Sequence, residues 1–450
     1  MYTLRNVYDF SHKDAKFVMD KFDKGDNYKK QFPIPKKIIA TGDFHGDLEA
    51  CRVCFEDLAK VLKVNKDNYK NFIQEEDYTK YNSYQLFDKW TGGNTYVVLL
   101  GDMIDRKRLN SVEKDKKTPG EIRDEEEKLL IFINQASKLA EKKDGKVIKC
   151  LGNHEIINLF GNDYKQSVAA YTSSYSLGNF CLRDEKCNKN SLVNSKIKLF
   201  HPKGDIGKLI GENNIYGIVR IGNWIFMHGG LSLRLLEQLK RQHGINTKDT
   251  IFVANDIASN IFDNKSNISN KKKLLFRLYQ DAKNAIVWNR EHSTPSQKAN
   301  CTNLRNIFRL LEMNENDSYM VVAHTPQFIR EQVKGHVYTR NKPIKDGKRL
   351  IYSGVGKEPT GYLYEHGINF DCPNENNTNG HVWRLDVGMS RAFDVKNMEY
   401  EKDFKKLLFA RRPQLLEINT KDNSTRVIVA NEGLERYNST GQRINDITML

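Results

Sequence analysis

The chain has 450 residues, of which 39% are hydrophobic and 29% charged, with a formal net charge of +15. That balance can bury a large core and excludes a disordered polymer. No apolar run approaches the ~18 residues of a bilayer-spanning helix, which excludes a helical membrane protein.

Met1 to Asp20 mixes charge with aromatics and has no apolar signal-peptide core, so an intracellular, cytoplasmic protein is expected. The seven cysteines form an odd set without a framework spacing, and free thiols in a reducing compartment are expected. Cys51 and Cys54 make a C-x-x-C within a helical stretch, but no second pair completes a zinc site. The basic balance fits solvated lysines, acidic phospho-substrates or nucleic acid.

In chain order, residues 1–36 read as an N-terminal extension closed by Pro33 and Pro35, residues 37–430 as a catalytic domain with charged insertions, and residues 431–450 as a tail. Short runs rich in β-branched and aromatic residues predict strands at Lys37 to Thr41, Tyr96 to Leu100, Val147 to Leu151 and Ile215 to Ile221. Trp224 to Met227, Tyr319 to Ala323 and Val382 to Val387 are of the same kind. Helical spacing covers Leu48 to Val64, Glu125 to Lys143 and Leu233 to His243. Strands alternating with helices predict an α/β layered fold. Asn65 to Asn94, Lys107 to Asp124 and Asn264 to Lys273 read as charged insertions or mobile loops, and Pro373 to Gly380 as a further loop. Gln414 to Asn419 and Thr425 to Ala430 predict a closing β-hairpin.

Ligand-type residues stand at the strand ends. The first strand runs into Gly42-Asp43-Phe44-His45-Gly46-Asp47, the second into Gly101-Asp102-Met103-Ile104-Asp105-Arg106, the third into Gly152-Asn153-His154-Glu155. Later strands run into His228-Gly229-Gly230 and His324-Thr325-Pro326-Gln327. In open α/β sheets, ligands collect at the carboxyl ends of strands. Asp43 and His45 can grip one ion from a single turn, and Asp102 has two oxygens with which to bridge two ions. Asn153, His228 and His324 then supply the second ion. Mixed nitrogen and oxygen donors suit Mn, Fe or Zn better than Mg or Ca. Singly, each residue reads as a helix cap or loop residue; together, five strand ends point to one rim.

The motif order G-D-x-H-G, G-D-x-x-D-R, G-N-H-E, H-G-G, H-T-P resembles the metallophosphoesterase superfamily, in its phosphoprotein phosphatase branch. The block Gly152 to Leu159 and the block Trp383 to Ser390 resemble the Shewanella-like and Rhizobiales-like protein phosphatases. The Ser-Ala-Pro-Asn-Tyr type segment that the eukaryotic relatives carry near the last strand is missing. The resemblance covers roughly Lys37 to Phe393 and implies a two-layer β-sandwich flanked by helices, the calcineurin-like fold, with two divalent ions at one edge. It implies Asp43, His45 and Asp102 on one ion, and Asp102, Asn153, His228 and His324 on the other, with a bridging hydroxide attacking phosphorus. His154 is then the general acid, oriented by Asp105. Arg106 is the phosphate clamp, Arg290 a second phosphate-binding arginine, and Asn153 a phosphate contact besides its ligand role. Lys107 and Ala323 replace glycines usual in the family.

The expected activity is hydrolysis of phosphomonoesters on phosphoproteins, at Ser/Thr or Tyr. The alternative is a diadenosine-tetraphosphatase-like cleavage of dinucleotide or RNA-cap pyrophosphate, and a remoter one is a non-catalytic basic scaffold. A phosphoprotein or phosphopeptide is the expected partner, with nucleotide or capped RNA as the alternative.

Overall fold

The computed structural model describes residues 32–106, 124–172, 192–213, 215–262, 272–294, 298–327, 348–352, 359–364, 368–373, 380–390, 413–430, 435–437 and 443–445. In chain order its strands are β1 (Lys37–Thr41), β2 (Leu62–Val64), β3 (Phe87–Trp90), β4 (Thr95–Leu99), β5 (Lys146–Cys150), β6 (Ile215–Tyr216), β7 (Val219–Ile221), β8 (Trp224–Phe226) and β9 (Tyr319–Val322). They continue with β10 (Lys348–Tyr352), β11 (Pro359–Tyr364), β12 (Asn369–Pro373), β13 (Gly380–Arg384), β14 (Gln414–Asn419), β15 (Thr425–Val429), β16 (Glu435–Tyr437) and β17 (Arg443–Asn445).

Two main sheets carry the fold. The first has the order β15-β14-β1-β4-β5-β6, the second β12-β13-β9-β8-β7. Strand β1 is central in the first, parallel to β4 with Ile39 opposite Val97, and antiparallel to β14 with Ile39 opposite Glu417. In the second, β8 and β9 run parallel with Phe226 opposite Val321. Central strands covered on both faces need apolar residues at every position rather than alternation. Accordingly all of Ile38, Ile39 and Ala40 are fully buried.

Both sheets share one hydrophobic core, to which Ile38, Val98 and Ile148 contribute from the first and Ile225, Val321 and Val382 from the second. Each such side chain contributes ~1.5–3 kcal/mol on burial. The sheets touch where Cys150 Sγ meets the Phe226 carbonyl at 3.9 Å. Helices flank them, so the expected mixed α/β architecture with two main sheets is what is observed.

The helix Leu233–His243 follows its reading to the residue. Ser232 accepts from the Leu235 N–H at its start, and Gly244 at φ 65° closes it. Two other readings are corrected. Leu48 to Val64 is not one helix: an α-helix Leu48–Arg52 passes into a π-helical turn Val53–Leu58, Lys60 adopts φ 54°, and the rest is β2. Ile215 to Ile221 is not one strand, because its halves pair in different sheets. The break falls at Gly217, where a Cβ would lie 2.0 Å from Tyr279 Oη.

Asn65 to Asn94 is built rather than loose: it holds the helix Lys66–Gln74 and β3, and Phe72, Tyr81 and Trp90 enter the core. Residues 107–123, 264–271 and 374–379 of the other expected loops lie outside the described residues, as do residues 1–31 of the expected extension and most of 431–450. The expectation of free thiols is overturned at Cys301 and Cys372, which form a disulfide across a separation of 71 residues. The folding of the helix Cys301–Leu310 against β12 brings them together, which spacing alone cannot reveal. Cys51, Cys54 and Cys150 are free and buried. Among the described residues no helix is long and apolar enough to cross a membrane.

Candidate metal centre

The loops after β1 and β4 are laced by their backbones. The Phe44 and His45 N–H groups donate to the Asp102 carbonyl at 3.2 and 2.9 Å, and the Gly46 N–H to Met103 at 2.7 Å. A Cβ on Gly101 would lie 2.5 Å from Gly152 N, so only glycine admits the β4 and β5 loops this close. His45, Asp102, Asp105 and His324 all adopt positive φ, at 43°, 50°, 67° and 68°. Left-handed backbone at non-glycine residues costs on the order of 1–3 kcal/mol each and clusters at functional sites.

The side chains these loops deliver converge. Asp102 Oδ2 lies 3.3 Å from His228 Nε2, 3.8 Å from His45 Nε2 and 3.9 Å from His154 Nε2. Asp43 lies 3.8 Å from both His45 Nε2 and His228 Nδ1. Asn153 Oδ1 sits 2.9 Å from His228 Nε2 and 2.8 Å from His324 Nδ1. All six are buried. Two groups of donor atoms close enough to hold an ion share Asp102: one with His45 and His154, the other with His228 and His324. The six residues expected to hold metal are brought together at one rim, Asp43 and Asn153 by the distances above, and His154 itself belongs to the first group.

The donor set fits cations. His45 Nδ1 lies 3.1 Å from the Ile104 carbonyl, and His228 Nδ1 2.8 Å from the Leu100 carbonyl. A carbonyl only accepts, so each Nδ1 carries a proton and leaves its Nε2 to face the converging donors. His324 Nδ1 faces His228 Nε2 at 3.2 Å across Asn153 Oδ1. A divalent ion among these atoms would take a lone pair from each.

The electrostatics agree. Burial alone would push the Asp102 carboxyl up, but His228, His154 and His45 hold it well below the usual range. Burial, with His228 and Arg290 nearby, holds His324 well below the ordinary imidazole value, which keeps it neutral and able to ligate. Burial and the neighbouring Asp102 charge raise Glu155 to about 7.

His154 Nδ1 lies 2.6 Å from Asp105 Oδ2, and its ring meets Tyr171 edge-on at 4.6 Å. Asp105 is fully buried; Lys196 and His154 overcome the burial and hold its carboxyl far below the usual range. The two expected arginines differ. Arg106 is buried, with Nη1 3.6 Å from Asp47 Oδ2 and 3.9 Å from Glu125 Oε2, and its backbone N–H donates to Glu126 at 3.0 Å. Arg290 is exposed, and its charge reaches His324. Trp288 lies beside it, its ring 6.0 Å from that of His324.

Sequence reasoning assigned nothing to Lys196, Asn158 or Ser390. Asn158 donates to Asp105 at 2.9 Å from one turn beyond His154, a helical spacing that could have flagged it. Ser390 donates to the His45 carbonyl at 3.3 Å, which explains why the Trp383 to Ser390 block belongs with the site. Lys196 carried no signal, being one lysine among many.

Residues 36–328 match the family described as calcineurin-like phosphoesterase. The chain is similar to Shewanella-like protein phosphatase 2 of Arabidopsis thaliana, 26% identical over 259 residues, 51% of this chain and 55% of that protein. It is also similar to Shewanella-like protein phosphatase 1 of Plasmodium berghei (strain Anka), 26% identical over 313 residues, 69% of this chain and 67% of that one. The match thus spans little over half of the first relative's length. A solved cold-active protein-tyrosine phosphatase of a psychrophilic Shewanella aligns over 94% of this chain and 84% of its own, at 16% identity and a TM-score of 0.44.

Proposed function

The chain belongs to the calcineurin-like phosphoesterase family, and on that premise we propose that it is a metal-dependent phosphatase that removes phosphate from phosphoproteins. The observation that carries the reading is Asp102, shared between two buried groups of donors, one of which includes His154 with Asp105 behind it. On this reading Asp43, His45 and Asp102 would hold one divalent ion, and Asp102, Asn153, His228 and His324 the other. When bound, such ions supply a nucleophile at neutral pH and neutralise charge on the phosphoryl oxygens.

The chain's own residues do the rest. Asp105 accepts the Nδ1 proton of His154 and so turns Nε2 toward the site, where it delivers a proton to the leaving oxygen. Arg290, exposed beside His324, draws in the phosphate dianion and meets its oxygens with a guanidinium fork. Arg106 keeps its expected role as a phosphate clamp and, buried near Asp47 and Glu125, also fixes the loop it stands on. The net charge of +15 favours acidic substrates at long range. The protein substrate is supported by the names of the two relatives, and among the described residues no feature of the site favours a dinucleotide.

The test is metal analysis of the purified protein, with nitrophenyl phosphate, phosphopeptides, a dinucleoside polyphosphate and capped RNA assayed in parallel. Bound metal with phosphopeptide turnover is expected. Turnover of the dinucleotide or cap alone would replace the substrate class. Neither metal nor turnover would leave a basic scaffold.

A further inference from the structure

Asp105 is held at both carboxylate oxygens. Oδ2 takes the His154 Nδ1 proton at 2.6 Å and the Asn158 amide at 2.9 Å, while Oδ1 takes Lys196 Nζ at 2.5 Å. Lys196 sits on the helix Leu192–Phe200, is fully buried, and covers the Phe200 ring at 5.2 Å. Taking an ammonium out of water costs several kcal/mol unless it is well paired. Here the pairing is with Asp105, whose other oxygen meets the His154 ring.

Without Lys196, Asp105 could turn about its Cβ–Cγ bond and share its oxygens differently between Asn158 and His154. With Oδ1 anchored, the carboxylate plane is set, and with it the direction of the Nδ1 proton and of the whole imidazole. Nε2 then stays 3.9 Å from Asp102 Oδ2. The peptide beneath is fixed as well: Glu126 accepts from the Asp105 and Arg106 N–H groups at 3.2 and 3.0 Å. Asp105 itself stands at φ 67°, a conformation that persists only when its surroundings hold it.

We propose that Lys196 is a positioning residue for proton delivery: its buried ammonium locks the Asp105 carboxylate so that His154 presents Nε2 to the leaving oxygen. The proposal rests on the reading of His154 as the acid. It separates Lys196 from an ordinary core ion pair, because its effect must pass through His154.

The experiment compares the metal-loaded parent with Lys196→Met and Lys196→Arg on a phosphoserine peptide and on nitrophenyl phosphate. An alkoxide needs a proton to leave and a nitrophenolate does not. Lys196→Met should therefore lose about 10²-fold in kcat on the peptide, the lower end of general acid catalysis, and only about 3-fold on the aryl ester. KM and metal content should stay at parental values, and Lys196→Arg should recover part of the loss. In a His154→Ala background, Lys196→Met should cost nothing more, since the group it positions is gone.

A folded, metal-loaded Lys196→Met with peptide turnover within about 2-fold of the parent would overturn the proposal, as would equal losses on both esters or losses that multiply with His154→Ala. Should Lys196→Met not fold, Lys196→Gln is read by the same criteria. A second readout needs no turnover. The parent should show a far-downfield proton resonance for the His154–Asp105 hydrogen bond, and Lys196→Met should lose it. If the parent hydrolyses neither ester, the phosphatase reading fails, while that resonance still decides for Lys196 by its loss or against it by its persistence.

Discussion

The Asp102 backbone N–H donates to Glu155 Oε2 at 2.8 Å, so the acid of the Gly-Asn-His-Glu block holds the peptide of the shared carboxylate. Glu155 also accepts from Gly152 N and Met103 N at 2.8 Å each. Glu155→Gln would turn an acceptor toward these donors into another donor. The expected result is a ~10–100-fold loss of metal affinity, the usual effect of removing a group that orients a ligand. Asp102→Asn should do worse and weaken both ions together. Titration of the metal-free protein reads both; parental affinity in either variant would show that Asp102 is held, or the ions bridged, by other groups.

The two arginines should separate in stability and kinetics. Arg106→Ala removes a buried cation 3.6 Å from Asp47 Oδ2 and 3.9 Å from Glu125 Oε2, and breaking a buried pair costs about 3–5 kcal/mol. Arg290→Ala removes an exposed charge, so denaturant midpoints should hardly move. Its kcat/KM should instead fall about 10- to 100-fold, since a charged hydrogen bond to phosphate is worth ~1.5–3 kcal/mol. Parental kinetics for Arg290→Ala would remove it from the site.

Lys149 should shape the alkaline limb of stability. It is fully buried between Asn134 Oδ1 and the Ile210 carbonyl, both at 2.9 Å, and burial lowers its pKa to about 7. The unfolded chain keeps this proton up to the ordinary lysine range, so between about pH 7 and 10.4 the unfolded state binds more protons. Stability from this group therefore rises with pH over that window and falls as pH drops through it. Lys149→Met should abolish that slope in the difference between its unfolding curves and the parent's. An unchanged slope would place the proton elsewhere.

The Cys301–Cys372 disulfide closes a separation of 71 residues. In the chain-entropy model such a loop is worth about 4 kcal/mol. Cys301→Ser should lower the denaturant midpoint in the absence of reductant by that order, and reductant should lower the parent's toward it. Alkylation of the denatured, unreduced protein should spare these two cysteines. Full labelling of both would mean that the bond does not form.

The sequence by itself determined the strand ends and what stands on them. Asp43, His45, Asp102, Asn153, His228 and His324 were legible because they follow five apolar runs within a few residues, beside glycine or another ligand. Leu233–His243 was legible to the residue because its caps, Ser232 and Gly244, are local. Only the tertiary structure decided what acts across the chain. Lys196 meets Asp105 from 91 residues away, and in its own helix it reads as one more solvated lysine. Cys301 found Cys372, Arg106 found Asp47 and Glu125, and the two halves of Ile215 to Ile221 found different sheets. Local patterns report the backbone's own preferences and the period of burial. The partner of a buried charge or thiol is set by which elements pack together, and no spacing along the chain encodes that.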